Sequence, residues 1–339
     1  MGMEQTRYNR FDNIRFILII CVVFGHFLEM IPGAMSLYLY RIIYSFHMPA
    51  FIFISGYFAK YNREKILFTF LYTYLLFQII YQLFERFILN PQQPFRFQFT
   101  YPYWLLWYLM AMILYYLLIP IFDDRRVYIR VLFVVVSIFL SILAGFDWTI
   151  QYYLSLSKFI TFLPYFLAGY YARRSSKIQK FLHYDLEFYW CKSLLILGVV
   201  CISCLYLWKN TAIIPAMLHG SNNYQLEGYE PMIKFILLII GASWIIFFLV
   251  FPFLDKKIPF LTSIGQNTFP IFLLHGFCIK LAKKYEIFRF IPNENLLLAI
   301  ILSFVIVIAF GNPYVGKIFQ RVFTGNWILE RMKKVDKHF

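Results

Sequence analysis

The chain has 339 residues, of which 61% are hydrophobic, 22% are aromatic and only 14% are charged. Soluble domains carry about a quarter charged residues, so this composition, with a mean hydropathy of +0.65, excludes an ordinary soluble protein and favours one polytopic membrane body. The net charge of +15 would suit nucleic acid. Loop cations that fix a membrane topology explain it better, so we expect no nucleic-acid partner.

A membrane-crossing helix needs about 20 mostly apolar residues, and ten segments of the sequence approach or exceed that length. They are 14–31, 37–59, 66–89, 103–122, 128–147, 159–172, 191–208, 232–254, 261–283 and 296–316. The sixth is short, and the ninth is interrupted by Gly265, Asn267 and Pro270. We expect an all-α, polytopic membrane protein of about ten helices with a buried polar channel. It would form one domain over 1–320, followed by a basic cytoplasmic tail over 321–339.

Loop charges indicate the orientation of these segments. With the N-terminus inside, most Lys and Arg residues fall in cytoplasmic segments, which supports two cytoplasmic termini in a bacterial plasma membrane surrounded by lipid. Four cations fall outside under this scheme, namely Lys280, Lys283, Lys284 and Arg289. If the ninth segment is re-entrant, the course of the last two helices changes. The sequence does not indicate an oligomeric state.

The first segment carries Arg15 and His26, eleven residues apart. That spacing is close to three helical turns, so both side chains lie on one face, about 16 Å apart along the axis. Ionisable residues inside a membrane are costly and are functional candidates. A cation at one end and an imidazole well inside predict a polar path into the membrane. Glu29, one turn after His26, is expected either to orient that imidazole or to mark the helix end.

Histidines recur in later segments. His47 and His275 lie within the second and ninth, whereas His183, His219 and His338 fall in loops or the tail. Histidine suits proton abstraction because its ordinary pKa is near neutrality. We expect at least one intramembrane histidine to be reactive, with a structural role as the alternative. Three histidines could also bind a metal, but no carboxylate or cysteine has ligand spacing to them, so none is expected.

The second segment contains Pro49, which should kink the helix and free a backbone carbonyl. Ser55 and Gly56 near its inner end permit close backbone approach. A basic rim follows, made of Lys60, Arg63 and Lys65. These cations suit an anionic cofactor that arrives from the cytoplasm, and ordinary topological anchoring is the alternative.

The third and fourth segments add a polar stripe and an aromatic cluster. The stripe consists of Gln78, Gln82 and Glu85, which face either a cavity or neighbouring helices with which they form hydrogen bonds. The cluster consists of Tyr101, Trp104, Trp107 and Tyr108 at the start of the fourth segment. Aromatic belts occur at every membrane interface, but such rings can also stack on sugars.

These elements resemble the acyltransferase-3 family of integral membrane acyltransferases, and within it the fucose 4-O-acetylase-like branch. The matching pieces are Asp12-x2-Arg15-x10-His26, His47-Met-Pro-x5-Ser55-Gly56-Tyr57, WLLWYL at the start of the fourth segment, and IGQNTFPIFLLHG with His275. The resemblance spans about residues 8–320. It implies transfer of an acyl group, usually acetyl, from cytoplasmic acyl-CoA to a carbohydrate hydroxyl on or across the membrane.

The resemblance also implies roles for particular residues. Arg15 and His26 occupy the positions of the family's essential pair, and Ser55, Gly56 and a helix-four tryptophan, Trp104 or Trp107, correspond to functional positions. Some members carry an Arg-x-x-Arg motif after the second helix. Its nearest match here is Lys60-x-x-Arg63, which lies closer to the glycine.

The mechanism that we predict divides these residues between donor, catalysis and acceptor. Arg15, Lys60 and Arg63 would hold the phosphates of acetyl-CoA, with Ser55 and Gly56 also at the cofactor. His26 would act as general base on the acceptor hydroxyl, and a covalent acyl-histidine is the alternative. Glu29, His47 or His275 would orient His26 or polarise the carbonyl. The acceptor, a cell-surface or lipid-linked carbohydrate, would contact Trp104, Trp107, Tyr108 and Glu85.

The rival interpretation is a transporter or flippase for a small polar molecule. Ten helices, a broken ninth helix and a polar interior suit that function too. A scaffold without chemistry explains the polar stripe poorly.

Overall fold

The computed structural model describes residues 3–92, 97–182, 186–221, 223–289 and 295–335, and these residues contain helices and connecting segments but no strand. The predicted all-α class is confirmed. The first helices are α1 (Met3–Leu28), α2 (Ala34–Tyr57), α3 (Tyr72–Phe84), α4 (Trp107–Phe122), α5 (Val127–Leu143), α6 (Leu156–Arg174), α7 (Ser176–Leu182) and α8 (Leu186–Lys209). The remainder are α9 (Pro215–Leu218), α10 (Tyr224–Glu227), α11 (Pro231–Val250), α12 (Pro259–Gln266), α13 (Thr268–Lys284), α14 (Asn295–Gly311), α15 (Pro313–Phe323) and α16 (Asn326–Val335).

Six helical segments in the described part of the chain are long and apolar enough to cross a membrane. They are Asn9–Leu28, Ala34–Tyr57, Lys65–Leu89, Trp104–Phe122, Lys192–Lys209 and Pro231–Val250. The bent pair α14 and α15, which meet at 63°, gives a seventh if it is one span. Each of the ten predicted segments contains a helix, so the chain is a multi-pass membrane protein. The number of ten crossings is not established.

Two predicted irregularities have clear structural forms. The ninth segment divides at Asn267 into α12 and α13. Helix α2 instead runs through Pro49 without ending. An irregularity that was not predicted is the pair of π-helical turns, Lys65–Leu71 and Glu85–Leu89, that flank α3. Such turns locally change which way side chains face and often occur at functional sites.

Helices α2 and α6 approach each other through two glycines. A Cβ on Gly56 would lie 2.1 Å from the carbonyl oxygen of Phe166, and a Cβ on Gly169 would lie 2.0 Å from that of Phe53. Small residues let helix backbones pack closely in membranes. The structure uses Gly56 for helix packing, and its predicted role at the cofactor stays a prediction.

Helix α1 lies against α2, α12, α13 and α14, and polar contacts fix it there. Arg10 forms an ion pair with Asp255. The Asn13 amide donates to the carbonyl oxygen of Leu254 at 2.8 Å, and the Thr262 hydroxyl donates to the Asn13 side-chain oxygen at 2.9 Å. Lipid offers no hydrogen-bond partners, so these groups must be satisfied within the protein. The rotation of α1 about its axis is thereby set.

The Gly169→Ala substitution tests the α2–α6 contact. The added methyl group overlaps the Phe53 carbonyl, and overpacking of this kind costs about 1–3 kcal/mol. We expect a lower midpoint of thermal unfolding in detergent, measured by loss of the monodisperse peak in size-exclusion chromatography. Gly198→Ala is the matched control, because no atom lies within 4 Å of its added Cβ. Equal midpoints for the two variants would contradict the close contact.

Candidate active site

Two cavities lie along α1, one beside Arg15 and one beside His26. The Arg15 chamber has a volume of about 370 Å³, and its polar lining includes Arg15, Ser55, Lys65, Tyr108, Tyr116 and Gln266. The His26 chamber has a volume of about 320 Å³, and its polar lining includes His26, Glu29, Tyr44, His47, Lys158 and His219. Val22, Met48 and Phe272 line both. In place of one continuous path, the structure has two polar chambers with a common apolar boundary. We call this boundary, formed by Val22, Met48 and Phe272, the neck.

Arg15 is held at one edge of its chamber by a short chain of polar groups. Its Nη1 donates to Asp12 Oδ1 at 2.9 Å, and Gln266 Nε2 donates to Asp12 Oδ2 at 3.0 Å. The guanidinium carbon lies 4.8 Å from the centre of the Phe58 ring. A guanidinium has five N–H donors, so this arrangement orients Arg15 and leaves donors for an anion.

The basic rim predicted after α2 divides in the structure. Lys65 lines the Arg15 chamber, and its Nζ donates to the Tyr116 hydroxyl at 3.0 Å. Lys60 and Arg63 are exposed and are not among the residues that line the chamber. Lys65 rather than Lys60 or Arg63 therefore lies with Arg15 in this chamber, and the predicted cofactor contacts of Lys60 and Arg63 stay predictions.

Ser55 and Tyr108 meet at the wall of the Arg15 chamber. Their hydroxyl oxygens are 2.6 Å apart, and Ser55 also donates to the Phe51 carbonyl at 2.8 Å. The predicted position of Ser55 beside the donor is compatible with this geometry. Tyr108, predicted to contact the acceptor, lies instead in the chamber that contains Arg15.

Glu29 and Tyr44 orient the imidazole of His26. His26 Nδ1 is 3.0 Å from Glu29 Oε1 and 2.9 Å from the Tyr44 hydroxyl, which itself donates to Glu29. A carboxylate only accepts hydrogen bonds, so we assign the proton to Nδ1 and leave Nε2 unprotonated. A base held in one tautomer by a carboxylate is the arrangement used by Ser–His–Asp triads. Of the two alternatives for Glu29, the structure favours orientation of His26.

Glu29 lies just beyond the end of α1 and remains ionised. Burial raises the pKa of this carboxyl, but hydrogen bonds from His26 and Tyr44, together with electrostatic attraction to the imidazole, outweigh burial and lower the pKa to about 2. The negative charge is therefore present throughout the physiological pH range. It can stabilise an imidazolium when His26 accepts a proton.

His47 and His275 are buried beside the same chamber but differ from His26. Their Nδ1 atoms lie 2.7 and 2.9 Å from the carbonyl oxygens of Ile43 and Ile271, one turn earlier. These carbonyls accept, so Nδ1 donates and each Nε2 is left as an acceptor. Such a neutral ring cannot polarise a carbonyl through Nε2, and Glu29 with Tyr44 already binds His26 Nδ1. The structure thus favours Glu29 over either histidine as the group that orients His26.

Trp104, just before α4, and Trp107, its first residue, both line the His26 chamber. The Trp104 ring centre is 4.7 Å from that of His26, and the backbone φ of Trp104 is 34°. A bulky side chain at positive φ is strained, and such strain concentrates at functional sites. The ring of Trp107 stacks on that of Phe162 with their centres 5.4 Å apart, and the Lys158 Nζ lies 4.9 Å from the Trp107 ring centre.

The polar stripe on α3 supports a connecting segment rather than a cavity. Gln78 Nε2 donates to the carbonyl oxygens of Gln98 and Tyr101, and Gln82 Nε2 donates to that of Gln98. Glu85 accepts from the Tyr103 hydroxyl and lies 3.8 Å from Lys280. None of the three is among the residues that line either chamber. The hydrogen-bonding alternative is favoured, and the predicted contact between Glu85 and the acceptor stays a prediction.

Sequence reasoning missed three residues of the His26 chamber. Tyr44 shares one face of α2 with His47, a signal that was present in the spacing. Lys158 comes from the first turn of α6, and His219 comes from a loop, where its Nε2 is 2.6 Å from the Tyr40 hydroxyl. No local pattern marks these two, because only tertiary packing brings them to the chamber. His183 and His338 lie outside the described residues.

Comparison with known families agrees with this geometry. A model of the acyltransferase-3 family, described as an acyltransferase domain, matches residues 8–311, which is most of the chain. The chain belongs to the acyltransferase-3 family. No curated protein and no solved structure matches it significantly. This acyltransferase-3 protein is accordingly a membrane acyltransferase, and the fucose 4-O-acetylase-like branch stays a prediction. Within the residues that the structure describes, no three His, Cys, Asp or Glu side chains are grouped to hold a metal.

The Glu29→Gln substitution tests the orientation of His26 in this acyltransferase. Gln keeps the size of the side chain but removes the charge, so we expect the acyl-transfer rate to fall by about two orders of magnitude. Because a carboxyl with a pKa of about 2 stays ionised from pH 5 to pH 8, the defect should be present throughout this range. The measurement is the rate ratio of the two proteins across this range.

The half-buried loop residue Asp124, which lines neither chamber, supplies the control, as Asp124→Asn should leave that ratio at one. Equal rates of Glu29→Gln and the wild type at pH 8 would contradict the assignment, since loss of the carboxylate would then leave the base unaffected.

Proposed function

We propose that this protein transfers a short acyl group, best represented by acetyl, from cytoplasmic acyl-CoA to a hydroxyl of a cell-surface or lipid-linked carbohydrate. One observation carries the proposal: a single face of α1 presents a cationic chamber at Arg15 and a carboxylate-oriented imidazole at His26, with an apolar neck between them. A chamber of about 320 Å³ is near the lower limit of ligand pockets. That volume favours a short acyl group beside the acceptor.

The donor fits the Arg15 side of this arrangement. Arg15 and Lys65 are the cations that line the chamber in the described structure, and charge-assisted hydrogen bonds from such groups suit phosphates. The pantetheine arm is thin and uncharged, so it can occupy the neck formed by Val22, Met48 and Phe272. The thioester then reaches His26, and the charged nucleotide end stays beside Arg15 and Lys65.

The acceptor has a separate route. A large cavity of about 1120 Å³ lies between the segment after α1 and the end of α13, and Glu29 lines both this cavity and the His26 chamber. We call it the outer vestibule, with Glu29, Met35, Lys283, Phe288 and Arg289 among its lining residues. Donor and acceptor would thus arrive at His26 from opposite ends of α1.

The chemistry requires only the groups already placed. The acceptor hydroxyl donates to His26 Nε2, which removes the proton as the oxygen attacks the thioester carbonyl carbon. The new C–O bond forms, the C–S bond breaks, and the departing CoA sulfur takes the proton from the imidazolium. Glu29 stabilises that imidazolium while it exists. We favour this direct transfer over an acyl-histidine intermediate, as a single oriented base suffices.

The His26→Ala substitution removes the proposed base. We expect transfer from radiolabelled acetyl-CoA to fall by at least about a hundredfold in protein that still elutes as a monodisperse peak. Cys21→Ala is the control, because Cys21 lies on the same helix and packs in the core without lining either chamber. Near-normal turnover of His26→Ala would contradict the base assignment. Accumulation of a labelled solute in vesicles without thioester loss would support the transporter instead.

Substitutions of the two chamber cations test the donor site. Arg15→Gln and Lys65→Met should each raise the KM for acetyl-CoA by about tenfold or more, since each removes a charged hydrogen-bond donor. Initial rates of CoA release give the KM. Arg63→Gln is the comparison variant, and its effect should be smaller because Arg63 is exposed. A larger effect at Arg63 than at Lys65 would instead place the phosphates beside the exposed residues Lys60 and Arg63.

A further inference from the structure

Lys158 is a cation in the His26 chamber that the proposed transfer does not use. It extends from the first turn of α6, and its Nζ lies 4.9 Å from the centre of the Trp107 ring. A cation–π contact of this kind holds an ammonium in place without neutralising its charge. The side chain is only partly exposed. A cation withdrawn from water is costly unless an anion compensates for it.

The charges around the chamber leave that compensation open. Among the described residues that line it, Lys158 is the one Lys or Arg side chain and Glu29 is the one carboxylate. Glu29 is already engaged by His26 and Tyr44. Lys158 interacts with the charge of Glu29 only at longer range, and no ion pair between Lys158 and a carboxylate occurs in the part of the chain that the structure describes. The ammonium therefore keeps hydrogen-bond donors for a group that enters the chamber.

The position of Lys158 suits a substituent of the acceptor rather than the reacting hydroxyl. It shares the chamber with His26, but it reaches it from α6, beside Trp107 and near His219. Burial and the nearby charge of Lys158 lower the pKa of His219 to about 4, so His219 remains neutral and does not add a competing positive charge at neutral pH.

We propose that the acceptor carries an anionic substituent, a carboxylate or a phosphoryl group, that pairs with Lys158 while a neighbouring hydroxyl binds His26 Nε2. This inference rests on the proposed function and narrows its substrate class to anionic sugars. The outer vestibule is lined by the cations Lys283 and Arg289 and by the carboxylates of Glu29 and Glu286, and Arg289 pairs with Glu286 at 3.0 Å. The preference for an anion therefore rests on Lys158.

The test compares three acceptors with the same sugar ring. Purified full-length protein in detergent receives acetyl-CoA and methyl β-glucoside, the corresponding methyl glucuronide, or the glucoside 6-phosphate. For the wild type we expect kcat/KM for at least one anionic acceptor to exceed that for the neutral glucoside by about tenfold or more. The better of the two anionic acceptors identifies the substituent as carboxylate or phosphoryl.

Three variants determine whether Lys158 causes this preference. Lys158→Met should reduce the ratio of anionic to neutral kcat/KM to about one, and Lys158→Arg should restore part of it. Lys209→Met, an exposed lysine at the end of α8, should retain the wild-type ratio. A wild type without preference overturns the proposal. An equal loss with all three acceptors in Lys158→Met also overturns it, because that result indicates a role in stabilising the transition state or the fold.

A binding measurement separates this inference from the proposed function. Saturation-transfer NMR with the same three glycosides needs no acyl donor, and the His26→Ala protein can be used as well. Preferential binding of an anionic glycoside that is lost in Lys158→Met supports the pairing with Lys158. If this binding is seen but no acyl transfer is detected, the proposed function fails and the pairing stands. Equal binding of all three glycosides by the wild type overturns the pairing.

Discussion

Hydrogen bonding of the polar side chains of α1 inside the bundle is the constraint on which the rest of the structure depends. Lipid cannot satisfy Arg10, Asp12 or Asn13, so each must find a partner on the segment from α11 to α12. Those contacts permit only one rotation of α1. With the rotation fixed, the eleven-residue spacing places Arg15 and His26 beside chambers on the same side of the helix. The site therefore follows from how one helix satisfies its polar groups.

The apolar neck between the chambers has a chemical consequence. Val22, Met48 and Phe272 offer no side-chain hydrogen bonds to water or to a phosphate, but they suit the uncharged thioester arm of the proposed donor. A neck filled by that arm limits the passage of water towards His26, and exclusion of water protects a reactive acyl donor from hydrolysis. Separation of the charged donor end from the base is thus compatible with transfer, whereas a continuous polar channel would favour hydrolysis.

Local spacing predicted the parts of the site that lie within one helix. The shared face of Arg15 and His26, the partner Glu29 one turn later, and the break at Asn267 all follow from helical geometry or composition. Lys65 begins a π-helical turn, whereas Lys60 and Arg63 lie before that turn and are exposed, a difference that the sequence did not indicate. The packing role of Gly56 depends on its contact with α6, and Lys158 and His219 reach the chamber from α6 and from a distant loop. No sequence pattern near these residues could have shown either result.

The hydrogen-bonding character of the His26 chamber bears on which acceptor it suits. Bonds to Ile43 and Ile271 fix the tautomers of His47 and His275 so that each Nε2 is an acceptor, and His275 Nε2 has no partner in the described structure. His26 likewise presents an unprotonated Nε2. A chamber with several acceptors favours a ligand rich in hydroxyl donors, and a site built for hydroxyl groups discriminates strongly against analogues that lack them. This property supports a carbohydrate over a simple alcohol as the proposed acceptor.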